Sequence, residues 1–398
     1  MKTLFPAIVC VTNDLTTDQR VDRTCQTLIS LGYPVLLVGR RRKHSRSLLP
    51  RAYRMDRLRM IFEKGPGFYA EYNIRLFLYL LFRRASIIVS NDLDTLPACF
   101  LACRIKNLVL PSLPSKRRGR GVGTPSSGGR RVGHIHDCHE YFRGVPELVG
   151  RERVRRIWKW FEDSIFPSLP MVIAVNESVA RLYHQEYGNE ITVIRNVPFR
   201  KAPVKPWPKQ KSGIREDQKV ILYQGAVNLD RGLEEAILSM KFLRSDAVLF
   251  IAGTGDLFHR LQELVEQQGL TGKVVFTGEI PFQELHPVTC MATIGLSIEK
   301  DSGINYPAAL PNKFFDYIQA RVPVLVSPFH EMKSIIDRYK IGEIIGNHNP
   351  EHLAEKIDGM LMDEELLALY RQNLAAAAGE FCWENEAPKL KAMIQEIQ

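Results

Sequence analysis

No two of the seven cysteines, Cys10, Cys25, Cys99, Cys103, Cys138, Cys290 and Cys382, form a Cys-x-x-Cys pair, and their odd number argues against a disulfide framework. Reduced thiols in a cytoplasmic protein are the expectation. Long apolar runs are missing too. The longest, near Ile74–Phe82, is interrupted by Arg75 and falls far short of the ~20 residues a membrane-spanning helix needs. The first residues turn polar at Thr12-Asn13-Asp14 after Ala-Ile-Val-Cys-Val, which reads as a buried strand rather than a signal peptide. There is no short-period repeat. With no zinc-ligand spacing and no RNA-binding aromatic motif, nucleic acid is not an expected partner.

What the chain has is length and an uneven charge. At 398 residues, 45% hydrophobic and 25% charged, it has an ordinary soluble composition and is too long for one compact core, so two domains are the default. Residues 1–200 hold 33 Lys and Arg against 17 Asp and Glu, and the remainder 21 against 27, a split of +16 against −6. The basic clusters are Arg40–Lys43 and Lys116–Arg120 with Arg130 and Arg131. Clusters of this kind suit an anionic membrane surface or a pyrophosphate-linked acceptor. Peripheral attachment to the inner face of the cell membrane is the corresponding expectation.

Apolar strand-like runs alternate with helical patterns throughout, the mark of an α/β chain with parallel sheets. In the first half Ala7–Thr12, Val35–Val38, Ile87–Ser90, His134–Asp137, Val172–Val175 and Thr192–Arg195 read as strands. Helices are expected over Asp18–Ser30, Tyr69–Arg84, Asp94–Arg104, Val154–Ile165 and Val179–Tyr187. Residues 111–133, rich in Gly, Pro, Ser and Arg, interrupt this series as a flexible basic insert. A proline- and lysine-rich linker over 199–213 separates a first domain, 1–198, from a second, 214–378. The second domain repeats the alternation, and 379–398 reads as a closing helix that returns to the first domain. Tyr69–Arg84 places Tyr72, Leu76, Tyr79 and Leu80 on one face. Packing against the sheet is its expected role, with an interfacial membrane helix as the alternative.

Several short segments gather polar groups at strand ends. Gly133-His-Ile-His-Asp-Cys-His-Glu140 delivers His139 and Glu140 to a loop at the carboxyl edge of the first sheet, where open α/β sheets place their sites. Its histidines alternate along a strand without a matching remote pair, so no metal is expected. Asp92 and Asp94 form an Asp-x-Asp triplet that reads as helix capping. In the second domain, Gly225 opens a loop that reaches Arg231, a planar cation suited to phosphate oxygens. Gly253 and Gly255 end the next strand, and Gly278 and Ile280 end the one after. Pro311 and Asn312 start a helix with Lys313 and Asp316 in its first turns, where the backbone N–H groups favour a phosphate.

The ordered set resembles the family 4 retaining glycosyltransferases of bacterial polysaccharide and cell-surface glycan synthesis. The resemblance covers most of the chain outside the 111–133 insert, and its motifs are weak one by one. It implies a GT-B fold, two Rossmann-like domains facing a cleft, with a nucleotide-diphosphate sugar as donor substrate and no cofactor or metal. The acceptor would be a glycan or a lipid-linked hydroxyl. By the resemblance, Asp316 holds the donor ribose and Arg231 with Lys313 the diphosphate. Gly225, Gly253, Gly255, Gly278, the backbone of Ile280 and Asn312 complete the donor site. His139 and Glu140 lie on the acceptor side with Asn13 and Arg20, and His139, Arg231 and Lys313 are the catalytic candidates. The chain departs from the family pattern at Ala226, where an arginine is usual, and at Ala308, where the first of two glutamates seven residues apart is usual. Glu299 is a candidate to take over part of the lost role. A GT-B sugar-nucleotide epimerase and a catalytically silent GT-B binding subunit are the alternatives.

Overall fold

The computed structural model describes residues 5–109, 131–145, 148, 150–301, 303, 308 and 310–397. Of the expected insert, 111–133, residues 111–130 lie outside the described residues. The chain divides into two compact units, Met1–Arg195 with Glu386–Gln398, and Asn196–Asn385.

In the first unit β1 (Ala7–Cys10), β2 (Val35–Arg41), β3 (Arg54–Arg59), β4 (Ile87–Asn91), β5 (Gly133–Cys138), β6 (Val172–Ala174) and β7 (Ile191–Val193) form one sheet. Its order is β3-β2-β1-β4-β5-β6-β7, and every pairing is parallel. β1 and β4 are buried along their whole length, as expected where helices cover both faces of a parallel sheet. β3, Arg-Met-Asp-Arg-Leu-Arg, was not expected as a strand. It is a polar edge strand whose charges are what an exposed sheet edge tolerates. The helices are α1 (Gln19–Ser30), α2 (Gly65–Leu81), α3 (Leu96–Val109), α4 (Glu152–Ile165) and α5 (Glu177–Tyr187). Asp18 caps α1 by accepting the Val21 N–H at 3.1 Å, and Asn176 caps α5 through the Val179 N–H at 2.8 Å.

The second unit holds β8 (Lys219–Gln224), β9 (Ala247–Ala252), β10 (Val274–Gly278), β11 (Ile294–Ser297), β12 (Val324–Val326) and β13 (Gly342–Ile344). They form a six-stranded sheet in the order β10-β9-β8-β11-β12-β13, again with only parallel pairings. Between the strands run α6 (Leu233–Ser239), α7 (Phe258–Gln267), α8 (Phe282–Cys290), α9 (Asn312–Gln319) and α10 (His330–Tyr339). α11 (Pro350–Met362), α12 (Glu364–Glu380) and α13 (Trp383–Gln395) close the chain. Two apolar clusters sandwich this sheet, one under α6, α7 and α11 and one under α8, α9, α10 and α12. The stretch expected as a linker is packed onto this unit: Trp207 lies against the second cluster, and Lys201 is paired with Asp316 at 2.9 Å. From Glu386 onward the last helix counts with the first unit. There Glu386 receives the Arg195 N–H at 3.2 Å and Lys389 donates to the Val193 carbonyl at 3.4 Å.

In each sheet the strand order reverses once, between β1 and β4 and between β8 and β11. The loops leaving such neighbours diverge and open a crevice at the carboxyl edge, the place where parallel α/β sheets bind ligands.

Candidate functional site

Each crevice holds a cluster of charged side chains. In the first unit it is built from the loops after β1, β4 and β5. Arg20, 2% exposed, donates from Nε and Nη2 to the two Asp137 oxygens at 2.9 and 2.6 Å, and from Nη1 to the Ile194 carbonyl at 2.9 Å. This corrects the expectation that Arg20 meets an acceptor, since its fork is spent on a buried bidentate pair. Asn13 likewise turns inward, donating to Asp18 at 2.8 Å and accepting the Leu15 N–H at 2.9 Å.

His139 sits between two carboxylates. Its Nδ1 lies 3.4 Å from Asp92 and its Nε2 3.6 Å from Asp137 and 3.1 Å from the Asn91 amide oxygen. Its own N–H donates to Asp92 at 2.9 Å. Burial opposes the imidazolium, but Asp92 and Asp137 outweigh it and push the ring up to about 9. Asp137 is itself buried, yet Arg20 and His139 hold it well below the usual carboxylate range. The two flanking carboxylates thus favour the protonated, positively charged ring, with Nε2 also meeting the Asn91 amide oxygen. Glu140 is exposed on the same loop.

Asp94 does not cap a helix as expected. α3 begins at Leu96, and the Asp94 carboxylate accepts the Thr12 hydroxyl at 2.6 Å. Burial, reinforced by Asp92, pushes it up to about 7. His134 and His136 also find a structural use, both meeting the Ser90 hydroxyl at 3.0 Å inside the sheet. Among the described residues no three His, Cys, Asp or Glu side chains are grouped to hold a metal ion.

In the second unit the centre of the cluster is Glu299, which follows β11 and has no exposed surface. Lys313, on the first turn of α9, places its ammonium 2.6 Å from Glu299 and 4.0 Å from the centre of the Tyr223 ring. The Ser297 hydroxyl donates to Glu299 at 3.0 Å, and Arg231 comes to 3.9 Å from it. Burial raises the Glu299 carboxyl, but Lys313, with Arg231 behind it, holds it below its ordinary value. Lys313, 8% exposed, is therefore not the open phosphate ligand expected of it; its charge is committed to Glu299. Arg231, with 31% of its side chain exposed, is the cation of this group nearer to solvent. The trio of Glu299, Lys313 and Arg231 carries one net positive charge.

Asp316 faces the same crevice from the next turn of α9. Its oxygens accept from Lys201 at 2.9 Å and from the Gln224 amide at 3.2 Å. Gln224 is in turn fixed by the Thr289 hydroxyl at 2.7 Å. Asn312 is exposed at the start of α9, and Ile280 is half-buried against the core. The glycines are there for space. A side chain on Gly253 (φ +147°) would put its Cβ 1.9 Å from the Gly225 carbonyl oxygen, and one on Gly255 would lie 2.3 Å from Asn228. Gly225 and Gly278 also have positive φ, so this edge is backbone in close approach, open to a ligand's main-chain contacts. Lys201, Gln224, Thr289 and Tyr223 were not expected in the cluster. Only Tyr223 and Gln224, directly before Gly225, carried a positional signal.

Known proteins can be set beside this geometry. Residues 205–377 match the family described as Glycosyl transferases group 1. An uncharacterized glycosyltransferase, MJ1607 of Methanocaldococcus jannaschii, is 31% identical over 159 residues, and the match spans 39% of this chain and 39% of that protein. Among solved structures, WaaG, a glycosyltransferase involved in lipopolysaccharide biosynthesis, superposes with a TM-score of 0.71 at 17% identity, over 98% of this chain and 99% of that one. Anabaena HepE in complex with UDP gives a TM-score of 0.69 at 12% identity, over 98% and 100%. Likeness at such identities shows the fold, which is GT-B: two parallel-sheet Rossmann-like domains. Residues 205–377 thus resemble a group 1 glycosyltransferase domain, set in a chain whose fold is GT-B.

Proposed function

We propose that this chain moves a sugar from a nucleoside-diphosphate sugar to an acceptor hydroxyl, with retention of configuration and without a metal ion. The observation that carries the reading is the buried Glu299–Lys313 pair with Arg231 beside it, at the reversal point of a domain that matches group 1 glycosyltransferases. HepE, of the same fold, binds UDP and UDP-glucose.

The chemical problem is the negative charge that builds on the leaving diphosphate as the glycosidic bond loosens. Arg231 and the α9 N-terminus supply positive potential at that place, and fixed charges in a dry crevice stabilise such a state without reorganising. Lys313 keeps Glu299 ionised, and the buried Glu299 in turn holds Lys313, with Arg231 beside it, in position. Asp316 then takes the ribose, exchanging its bond to Lys201 or Gln224 for ribose hydroxyls. The acceptor hydroxyl approaches on the face of the departing phosphate, which takes its proton. His139 adds a positive charge on the acceptor side.

The acceptor we propose is a glycan or lipid-linked hydroxyl of a cell-surface polymer, met at the inner face of the membrane. Sugar transfer from nucleotide sugars to a lipid extract, assayed with and without EDTA, tests this reading. Transfer that persists in EDTA is expected. Loss in EDTA restored by manganese would reject the metal-free mechanism, and donor consumption without an acceptor would favour an epimerase.

A further inference from the structure

α2 does two jobs at once. It buries Phe68, Tyr72, Leu76 and Leu80 against the sheet, and on its opposite side Ile74, Leu78 and Phe82 are 61%, 46% and 82% exposed. Their spacing of four makes a stripe along the helix. α3, packed beside α2, exposes a second stripe, Leu101, Ile105 and Leu108. A soluble monomer rarely leaves so many large apolar side chains together in water.

At the end of the α2 stripe lies a groove of about 960 Å³. Ile8, Leu36, Leu58 and Phe5 help to floor it, and Arg59, Arg75, Arg83 and Arg84 rim it. Arg83 stacks over Tyr79 at 4.4 Å and Arg84 over Phe5 at 5.4 Å, while on α3 Arg104 lies over Phe100 at 5.6 Å. These contacts hold guanidinium groups at the edge of apolar surface. Charge balance around the stripes is one-sided. Between residues 72 and 109 the basic residues are Arg75, Arg83, Arg84, Arg104 and Lys106, and the only acids are Asp92 and Asp94, which belong to the acceptor-side cluster. Two nearby acids pair with rim arginines, Glu71 with Arg75 at 2.7 Å and Asp56 with Arg83 at 3.5 Å, so the excess positive charge of the rim rests on Arg59 and Arg84.

We propose that the α2–α3 face is a docking surface for an anionic lipid bilayer, with acyl chains against the two stripes and a lipid phosphate on the arginines of the groove. An apolar face with a cationic border is what an interfacial helix presents to a membrane. The choice of a lipid partner rests on the proposed function; the surface itself does not. The face differs from the one the charge clusters suggested. Arg40 is drawn inward, with its guanidinium 4.1 Å over Phe68 and a bond to the Glu63 carbonyl at 3.0 Å, and Lys116–Arg130 lies outside the described residues. Among the described residues no helix is long and apolar enough to cross a membrane, so attachment here is in the plane of the surface.

The test is sedimentation of the full chain with vesicles of phosphatidylcholine alone and with phosphatidylglycerol added, across a salt series and without donor. Wild type is expected on the anionic vesicles. Each arginine near such a surface is worth about 1 kcal/mol, so Arg59→Ala with Arg84→Ala should weaken that binding about 25-fold. Leu78→Ser, Phe82→Ser and Leu108→Ser together should remove the salt-resistant part. These positions are exposed, and melting curves report whether the fold is kept. Equal binding by wild type and both variants would overturn the proposal. So would loss confined to an Arg41→Ser, Arg42→Ser, Lys43→Ser control, or a wild-type dimer that the serine variant dissolves. Nucleoside-diphosphate binding measured on the same variants should be unchanged, which separates failure of this face from failure of the donor site.

Discussion

Lys313→Met removes one half of a buried ion pair and leaves the other half in place. Glu299 would keep the Ser297 hydroxyl at 3.0 Å and Arg231 at 3.9 Å, but lose its contact at 2.6 Å, with 1% of its side chain exposed. Stranding a buried charge in this way costs about 3–5 kcal/mol, and Arg231 offsets part of it, so about 3 kcal/mol is expected. The second unit runs from Asn196 to Asn385. For a domain of that size each 1 kcal/mol moves the midpoint by roughly 2–4 °C, giving a fall of about 6–12 °C by calorimetry. Adding Glu299→Gln removes the stranded charge, so the double variant should be more stable than Lys313→Met alone, despite carrying more changes. The pH dependence has a definite sign. Glu299 is depressed in the folded protein, so its stabilisation is present above the unfolded carboxyl value and is lost as pH falls through the folded one. In Lys313→Met the carboxyl rises instead, and the deficit against wild type should shrink in acid. A loss under about 1 kcal/mol, or a double variant less stable than the single one, would refute the reasoning.

Further consequences can be measured separately. His139, raised to about 9 from 6.5, should titrate above pH 8 by NMR, and the stability it contributes should be full below pH 6.5 and fade as pH rises through 9; a ring titrating near 6.5 would show that Asp92 and Asp137 do not hold it. Gly253→Ala, with its Cβ 1.9 Å from the Gly225 carbonyl, should destabilise by at least the ~1–3 kcal/mol of a strained backbone. Gly359→Ala, on α11 with nothing within 4 Å, should stabilise by about 0.5–1 kcal/mol; equal effects of the two would contradict the close approach.

The sheets were legible because a strand buried on both faces must be a continuous apolar run, as Ile87–Ser90 and Ala247–Ile251 are. β3 was not, since an edge strand answers to solvent as much as to its neighbour, and Arg-Met-Asp-Arg-Leu-Arg has no apolar alternation. The glycine turns at Gly225, Gly253 and Gly278 could be placed because their spacing is local. Partner choice could not. Arg20 finds Asp137 across 117 residues and Lys201 finds Asp316 across 115, pairings set by strand order and crossovers rather than by sequence distance. Lys313 and Glu299 are closer in the chain, yet only the adjacency of β11 and α9 shows that the lysine is spent on the glutamate. Sequence reading therefore placed Arg231, Lys313 and Asp316 together in the second unit but not the partners that pair with them.

The central claim is that the crevice of the second unit, with the half-buried Arg231 as its cation nearest solvent and Asp316 as its acceptor carboxylate, binds a nucleoside diphosphate. Isothermal titration of wild type, Arg231→Ala and Asp316→Ala with a panel of nucleoside diphosphates measures it directly. Losing a hydrogen bond to a charged group costs about 1.5–3 kcal/mol, so each variant should bind the preferred diphosphate roughly 10- to 150-fold more weakly than wild type. Wild-type affinity retained in both variants would contradict the account.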